Sequence, residues 1–201
     1  MTAHRCVGVI LAGGGATRFG GEPKGLRVVE GARMIDRVAA ALREVTDELL
    51  LVANDPDADA WLPGVRCAAD VRIGEGALGG LHAAVAHAGG AGALVVAWDM
   101  PFVAPGLLRA LRTLGEAGAD VAVPESDTSG RGVEPLCAWY GPACLAAIER
   151  RLDAGDRRVV SFFEDVRVSR LPAAEVSQYG EPARIFFNVN FPSDLPDTHS
   201  S

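Results

Sequence analysis

Residues 7–11 (Val-Gly-Val-Ile-Leu) and 93–98 (Ala-Leu-Val-Val-Ala-Trp) carry no polar side chain, and 48–52 (Glu-Leu-Leu-Leu-Val) carries a single acid at its start. A strand that is apolar on both faces has to be covered on both faces. A mostly parallel sheet between two layers of helices does this, whereas an antiparallel surface sheet would alternate apolar and polar residues. Between the first two runs, Met34, Ile35, Val38, Ala39, Leu42 and Val45 recur at helical spacing. This alternation predicts βαβ units and an α/β fold, a single three-layer α/β/α domain with a Rossmann-like sheet. The 201 residues suit one domain, and a hydrophobic content of 49% is enough to fill its core.

Further along, 65–69 reads as a short strand and 79–88 as a helix of small residues. Pro105 opens another helix, where its missing N–H costs nothing. Residues 120–123 and 135–140 read as strands, 142–152 and 159–163 as helices, and 166–171 as a strand. Residues 185–187 form a short segment that leads into Asn188-Val189-Asn190. No Pro/Gly/Ser linker divides the chain. We expect one domain over 1–195, in two halves that meet at about 125, and a frayed polar tail at 196–201.

The first strand runs into Ala12-Gly13-Gly14-Gly15-Ala16-Thr17-Arg18-Phe19-Gly20-Gly21-Glu22-Pro23-Lys24. Glycines let backbone N–H groups approach an anion closely, Arg18 can grip phosphate oxygens as a planar fork, and Lys24 supplies a point charge. It is not a Walker A loop, because Gly21 stands where Lys should follow. It is not the dinucleotide fingerprint, because Arg18 takes the place of the third glycine. A purely structural turn would not need two cations.

Ligands of open α/β sheets lie at the carboxyl ends of the strands. Asn54, Asp70 and Asp99 all fall there. Asp99 follows an apolar strand and precedes Met100-Pro101, which restricts the turn after it. A carboxylate held at a strand end and facing a phosphate loop suits Mg²⁺, although Asp is also a common helix cap. Asn54 could equally belong to the turn at Asp55-Pro56, and Asp70 could be a plain loop carboxylate. The stretch 74–81 is a second glycine-rich loop, either clasping base or sugar or serving as a tight connector. Arg157 and Arg158 are expected to open the helix at 159–163 and to form an anion site there; a solvated pair is the alternative. Asn188 and Asn190 alternate, so they point the same way and could read a heterocycle, or cap the turn before Pro192. Phe162 and Phe163 read as core. His82 reads as a packed or partly exposed histidine.

Composition removes other classes. The formal net charge of −7 disfavours non-specific binding to nucleic acid or an anionic membrane. No run approaches the roughly 20 apolar residues of a membrane span. Cys6, Cys67, Cys137 and Cys144 lack zinc spacing and suggest no disulfide framework; Cys6 and Cys137 read as buried thiols. With no room for a leader before the first strand, a cytoplasmic location is expected. No Ser/His/Asp or Cys/His set points to covalent catalysis.

Leu11-Ala12-Gly13-Gly14, Arg18-Phe19-Gly20 and Lys24-Gly25-Leu26 resemble the signature of nucleotidyltransferases of the sugar-nucleotide and molybdenum-cofactor type. The segments 76–81, Trp98-Asp99-Met100-Pro101, Ala154-Gly155-Asp156-Arg157-Arg158 and Asn188-Val189-Asn190-x-Pro192 follow in the expected order. Together they are similar to the molybdenum cofactor guanylyltransferase family. The resemblance implies transfer of GMP from GTP to the terminal phosphate of molybdopterin, with Mg²⁺ as cofactor and release of pyrophosphate. It further implies that Leu11, Ala12, Gly13, Gly14, Lys24, Asn54, Asp70 and Asp99 hold the nucleotide. Arg18, Lys24 and Asp99 would be catalytic, Asp99 would hold the metal, and Arg157, Asn188 and Asn190 would lie on the acceptor side. Gly13, without a methyl, leaves room for a purine, whereas relatives that use CTP tend to carry Ala there. Three positions depart from the pattern: Glu22-Pro23 before Lys24, Ala77 where Pro is usual, and Glu134 where His is frequent. Cytidylyl transfer, another phosphate acceptor, and a non-catalytic GTP-binding partner stay open as alternatives. Transient contact with cofactor-handling proteins is the expected partnership.

Overall fold

The structure is a computed structural model that describes residues 5–13, 23–128 and 130–189. In chain order it contains β1 (Cys6–Ala12), β2 (Val28–Val29), β3 (Ala32–Arg33), α1 (Met34–Arg43), β4 (Glu48–Ala53), β5 (Arg66–Ala68), α2 (Gly76–His87), β6 (Gly92–Ala97), α3 (Pro105–Glu116), β7 (Val121–Pro124), β8 (Cys137–Tyr140), α4 (Cys144–Asp153), β9 (Val168–Leu171), α5 (Ala173–Val176) and α6 (Pro182–Ile185).

Seven strands form one sheet in the order β5-β4-β1-β6-β8-β7-β9. β8 alone is antiparallel to its neighbours; β1, β4, β5, β6, β7 and β9 run the same way. The side chains of β1 show why both faces must be apolar. Cys6, Ile10 and Ala12 join a core with Ile35, Val38 and Leu42 of α1 and Leu107, Leu108 and Leu111 of α3. Val7, Val9 and Leu11 join the opposite core, with Leu78 and Leu81 of α2 and Ile148 and Leu152 of α4. The expected three-layer arrangement is therefore present, with α1 and α3 on one face and α2 and α4 on the other.

From β1 the chain moves outward through β4 to β5, then returns through α2 to place β6 on the other side of β1. This reversal opens a crevice at the carboxyl ends of β1 and β6, the position at which doubly wound sheets bind ligands.

Several sequence expectations need correction. Residues 159–163 do not form a helix: they are turns leading into a single 3-10 turn, Phe163–Asp165. So short a run takes its conformation from its packing, and here the chain buries Phe162 from a turn. Asp156 also diverts the chain, because its Oδ1 accepts the Arg158 backbone N–H at 3.0 Å. Arg157 and Arg158 accordingly do not stand at a helix start. Of the short segment at 185–187, Ile185 is the last residue of α6. The hairpin of β2 and β3 was not foreseen. Its turn uses Glu30 and Gly31, with φ of 48° and 82°, the backbone of a tight two-residue hairpin.

Candidate active site

A cleft of about 350 Å³ occupies the crevice at the carboxyl edge. Its floor is Leu11, Ala12 and Gly13 after β1. One wall is Val52, Ala53, Asn54 and Asp70, and the other is Ala97, Trp98 and Asp99. Gly74, Gly76, Ala77 and Gly80, at the start of α2, form the roof, and Leu136, just before β8, closes the far side. The antiparallel course of β8 brings its beginning to the same edge as the ends of its neighbours.

Asn54 and Asp70 are bound to each other. Asn54 Nδ2 donates to Asp70 Oδ2 at 2.7 Å, and the Asp70 backbone N–H donates to Asn54 Oδ1 at 2.8 Å. These two bonds join the ends of β4 and β5 and fix one oxygen of each side chain. The other carboxylate oxygen of Asp70 takes no part in this clamp. Opposite them, a Cβ built on Gly13 would meet nothing within 4 Å.

Asp99 is reached from the other side. Lys24 Nζ lies 2.5 Å from its Oδ2, and both side chains are largely shielded. Packing places Lys24 there. It opens the 3-10 turn Lys24–Leu26, whose Gly25 rests on Trp98 so closely that a Cβ would fall 2.3 Å from the indole. Trp98 in turn stacks on Trp61, with ring centroids 5.4 Å apart. Asp99 is further anchored by its carbonyl, which accepts the Val189 N–H at 3.2 Å. Buried Val189, together with Val29 and Met34, seats the C-terminal segment on the hairpin.

Asn188 and Arg157, expected from the sequence on the acceptor side, do not line the cleft; each lies next to a residue or loop that does. Asn188 arrives beside Asp99 through its neighbour Val189, and its Nδ2 donates to Phe186 O at 3.3 Å. Arg157 lies against the loop before α2, where its Nε donates to Glu75 Oε2 at 2.5 Å. Arg158 turns away onto Asp156, whose carboxyl this pairing lowers to about 2. The expected roles of Arg18, Gly14 and Asn190 fall outside the described residues.

Sequence reading missed Leu136 and Glu75. Glu75 carries a signal in retrospect: it is the one charged residue between Gly74 and Gly76, immediately before α2.

The chemistry of this edge follows from its groups. A carboxylate and an ammonium face each other on one side, hydrogen-bonding amide and carboxylate groups stand on the other, and open space lies between. Such a cleft can hold a planar polar ring at Asn54 and Asp70 and a charged chain at Lys24 and Asp99. Among the described residues no group of three or more His, Cys, Asp or Glu converges as a ready-made metal cage, and no helix is long and apolar enough to cross a membrane.

Comparison with known proteins agrees with this geometry. Residues 8–170 match the model of the MobA-like NTP transferase domain. A probable molybdenum cofactor guanylyltransferase of Pelotomaculum thermopropionicum is 40% identical, over 95% of this chain and 90% of that protein. A molybdenum cofactor guanylyltransferase of Desulfosudis oleivorans is 35% identical, over 94% of this chain and 91% of that protein. The crystal structure of molybdopterin-guanine dinucleotide biosynthesis protein A from Archaeoglobus fulgidus superposes with a TM-score of 0.77 at 28% identity, covering 94% of each chain. The chain is a nucleotidyltransferase and belongs to the MobA-like NTP transferase family.

Proposed function

We propose that this chain transfers GMP from GTP to the terminal phosphate of molybdopterin or the molybdenum cofactor and releases pyrophosphate. The observation that carries the reading is the pairing of the Asn54–Asp70 clamp with the open space at Gly13 in one cleft. A guanine ring presents adjacent N–H donors, and the uncommitted oxygen of Asp70 is an acceptor for them. The names of the relatives point to the same nucleotide and acceptor.

In this reading the acceptor phosphate oxygen attacks the α-phosphorus of GTP in line. The bond from the α-phosphorus to the bridging oxygen breaks, and pyrophosphate leaves with that electron pair. The acceptor phosphate is already a nucleophile, so no enzyme-bound intermediate is required. The protein contributes position and charge. The clamp orients the base, Arg18 and Lys24 steady the departing phosphates, and Arg157, Asn188 and Asn190 orient the acceptor. Asp99 fits a Mg²⁺ ion, which takes one or two carboxylates and completes its shell with phosphate oxygens and water. When bound there, the ion would offset phosphate charge in the transition state. Lys24, held by Asp99, keeps a positive charge at this end of the cleft for the phosphates.

The test is pyrophosphate release by the purified protein with Mg²⁺ and a molybdopterin-type acceptor, with GTP and CTP in parallel. Release with GTP alone is expected. Release with CTP alone would overturn the assignment of the base. Release with neither, alongside tight GTP binding, would favour a non-catalytic binding protein.

A further inference from the structure

Two ion pairs of opposite polarity join the loop before α2 to the end of α4 and the segment after it. Arg72 Nη1 donates to Asp153 Oδ1 at 2.6 Å, and Arg157 Nε donates to Glu75 Oε2 at 2.5 Å. The loop contributes a base and then an acid; the other segment answers with an acid and then a base. Tight packing seats the loop. A Cβ on Gly79 would fall 2.8 Å from Glu75 Cβ and 3.1 Å from the Arg72 carbonyl. Of the inner pair, the Glu75 side chain is 22% exposed and that of Arg157 57%. The acid is therefore the fixed partner and the guanidinium the one free to swing. Gly74 and Gly76, on either side of Glu75, line the cleft.

We propose that Glu75 is a positioning residue that stands in for the acceptor's phosphate, holding Arg157 at the cleft rim until the acceptor displaces it. The inference rests on the reading of Arg157 as an acceptor-side cation. A carboxylate and a phosphate monoester each offer oxygens that a guanidinium binds through charge-assisted bonds. Arg157 cannot satisfy both fully through the same Nε–H. While Glu75 holds it, any anion that seeks Arg157 binds more weakly by the reciprocal of the fraction of time the pair is open. An exposed pair of this kind biases the equilibrium about three- to fivefold. Stray monoanions are thereby disfavoured, while an acceptor with further contacts in the cleft can meet the cost. The outer pair, Arg72–Asp153, keeps the loop in place while the inner pair exchanges.

The experiment follows the Nε–H resonance of Arg157 in protein labelled with ¹⁵N-arginine, assigned by its absence in Arg157→Ala, during titration with phenyl phosphate. The full chain is compared with Glu75→Gln, which keeps the side-chain shape and removes its charge, and with Asp153→Asn, which breaks only the outer pair. The midpoint should fall about three- to fivefold in Glu75→Gln and stay unchanged in Asp153→Asn. Equal midpoints in the full chain and Glu75→Gln would overturn this inference alone. Tightening in Asp153→Asn as large as in Glu75→Gln would also overturn it, since general loosening of the loop would then explain both. An Arg157 resonance that never moves would remove Arg157 from the acceptor side, and this inference with it.

Discussion

At the amino edge of the sheet, a Cβ on Gly92, Gly115 or Gly141 would lie 2.6, 2.2 or 3.0 Å from the indole of Trp139. At the carboxyl edge, one on Gly13, Gly74 or Gly76 would meet nothing within 4 Å. The first set are packing glycines: β8 carries a large ring, and β6, α3 and the residue directly after β8 give up their side chains to seat it. The second set border a cleft. A count of glycines could not separate the two jobs; what separates them is whether something already fills the space. The edges should accordingly fail in different ways, the carboxyl edge losing chemistry and the amino edge losing stability.

The largest effect belongs to the carboxyl edge. Asp99→Ala is expected to reduce pyrophosphate release by at least about 10³-fold, because it removes the anchor of both Lys24 and the proposed metal. Its thermal midpoint should fall only by the loss of one shielded ion pair, since Asp99 lies at a strand end and in neither core but its removal leaves the Lys24 ammonium unpaired. Lys24→Ala should cost on the order of 10²–10³ in rate, comparable to losing one preorganised donor. Wild-type-like turnover of Asp99→Ala at saturating Mg²⁺ would break the assignment of this edge.

The amino edge should show the reverse. In Gly115→Ala the new methyl would lie 2.2 Å from Trp139 Cδ2. Trp139 is itself buried between strands and helix, so the ring cannot simply retreat, and overpacking of this kind costs about 1–3 kcal/mol. Urea unfolding measures the loss, while turnover per folded molecule should be unchanged. A stable but inactive Gly115→Ala protein would show that the two edges are coupled.

The same substitution at the other edge sharpens the contrast. Gly13→Ala places its methyl in open space, so stability should stay within about 0.5 kcal/mol of the starting value. The methyl would instead occupy room proposed for the purine, and KM for GTP should rise about tenfold while KM for CTP changes less, roughly the worth of one mismatched methyl in a binding pocket. Equal effects on both nucleotides would remove Gly13 from base selection.

How much of this was legible in the sequence differs by edge for the same reason. Strands 7–11, 48–52 and 93–98 were readable because burial on both faces leaves no freedom of composition, and Asn54, Asp70 and Asp99 were readable because a parallel sheet brings strand ends together. The resemblance supplied the roles proposed for Arg157 and Asn188, but their surroundings were not legible. The sequence showed Arg157 next to Arg158 and hid its pairing with Glu75, 82 residues away. The helix expected at 159–163 failed because apolar content was read as helix where the chain only needed to bury Phe162. Trp139 was legible as a strand residue, but two of the glycines that cradle it, Gly92 of β6 and Gly115 of α3, lie on elements far from it in sequence, and no local pattern joins them to it.

The smallest predicted effect concerns pH, and it too belongs to the amino edge. Burial pushes Cys6 up to about 11 and Cys144 up to about 12, and it also raises Tyr140 at this edge and Cys137 at the opposite end of β8. A group whose pKa is raised by folding keeps its proton in the folded chain after the unfolded chain has lost it. Stability from these groups is thus complete below pH 9, the unfolded thiol value, and falls as the pH rises toward 11. On the acid side, Asp120 is held below its ordinary range by Arg167, so its contribution is present above pH 3.8 and is lost as the pH falls through the lower folded value. Urea midpoints should therefore be flat between pH 6 and 8 as far as these groups are concerned, and decline above 9. Substituting Cys144 tests the cause. Its Sγ donates to the Asp120 carbonyl at 3.0 Å, so Cys144→Ala should lower stability at neutral pH and flatten part of the alkaline decline. An alkaline decline of unchanged slope in both Cys6→Ala and Cys144→Ala would show that the buried thiols of this edge do not set its pH limit.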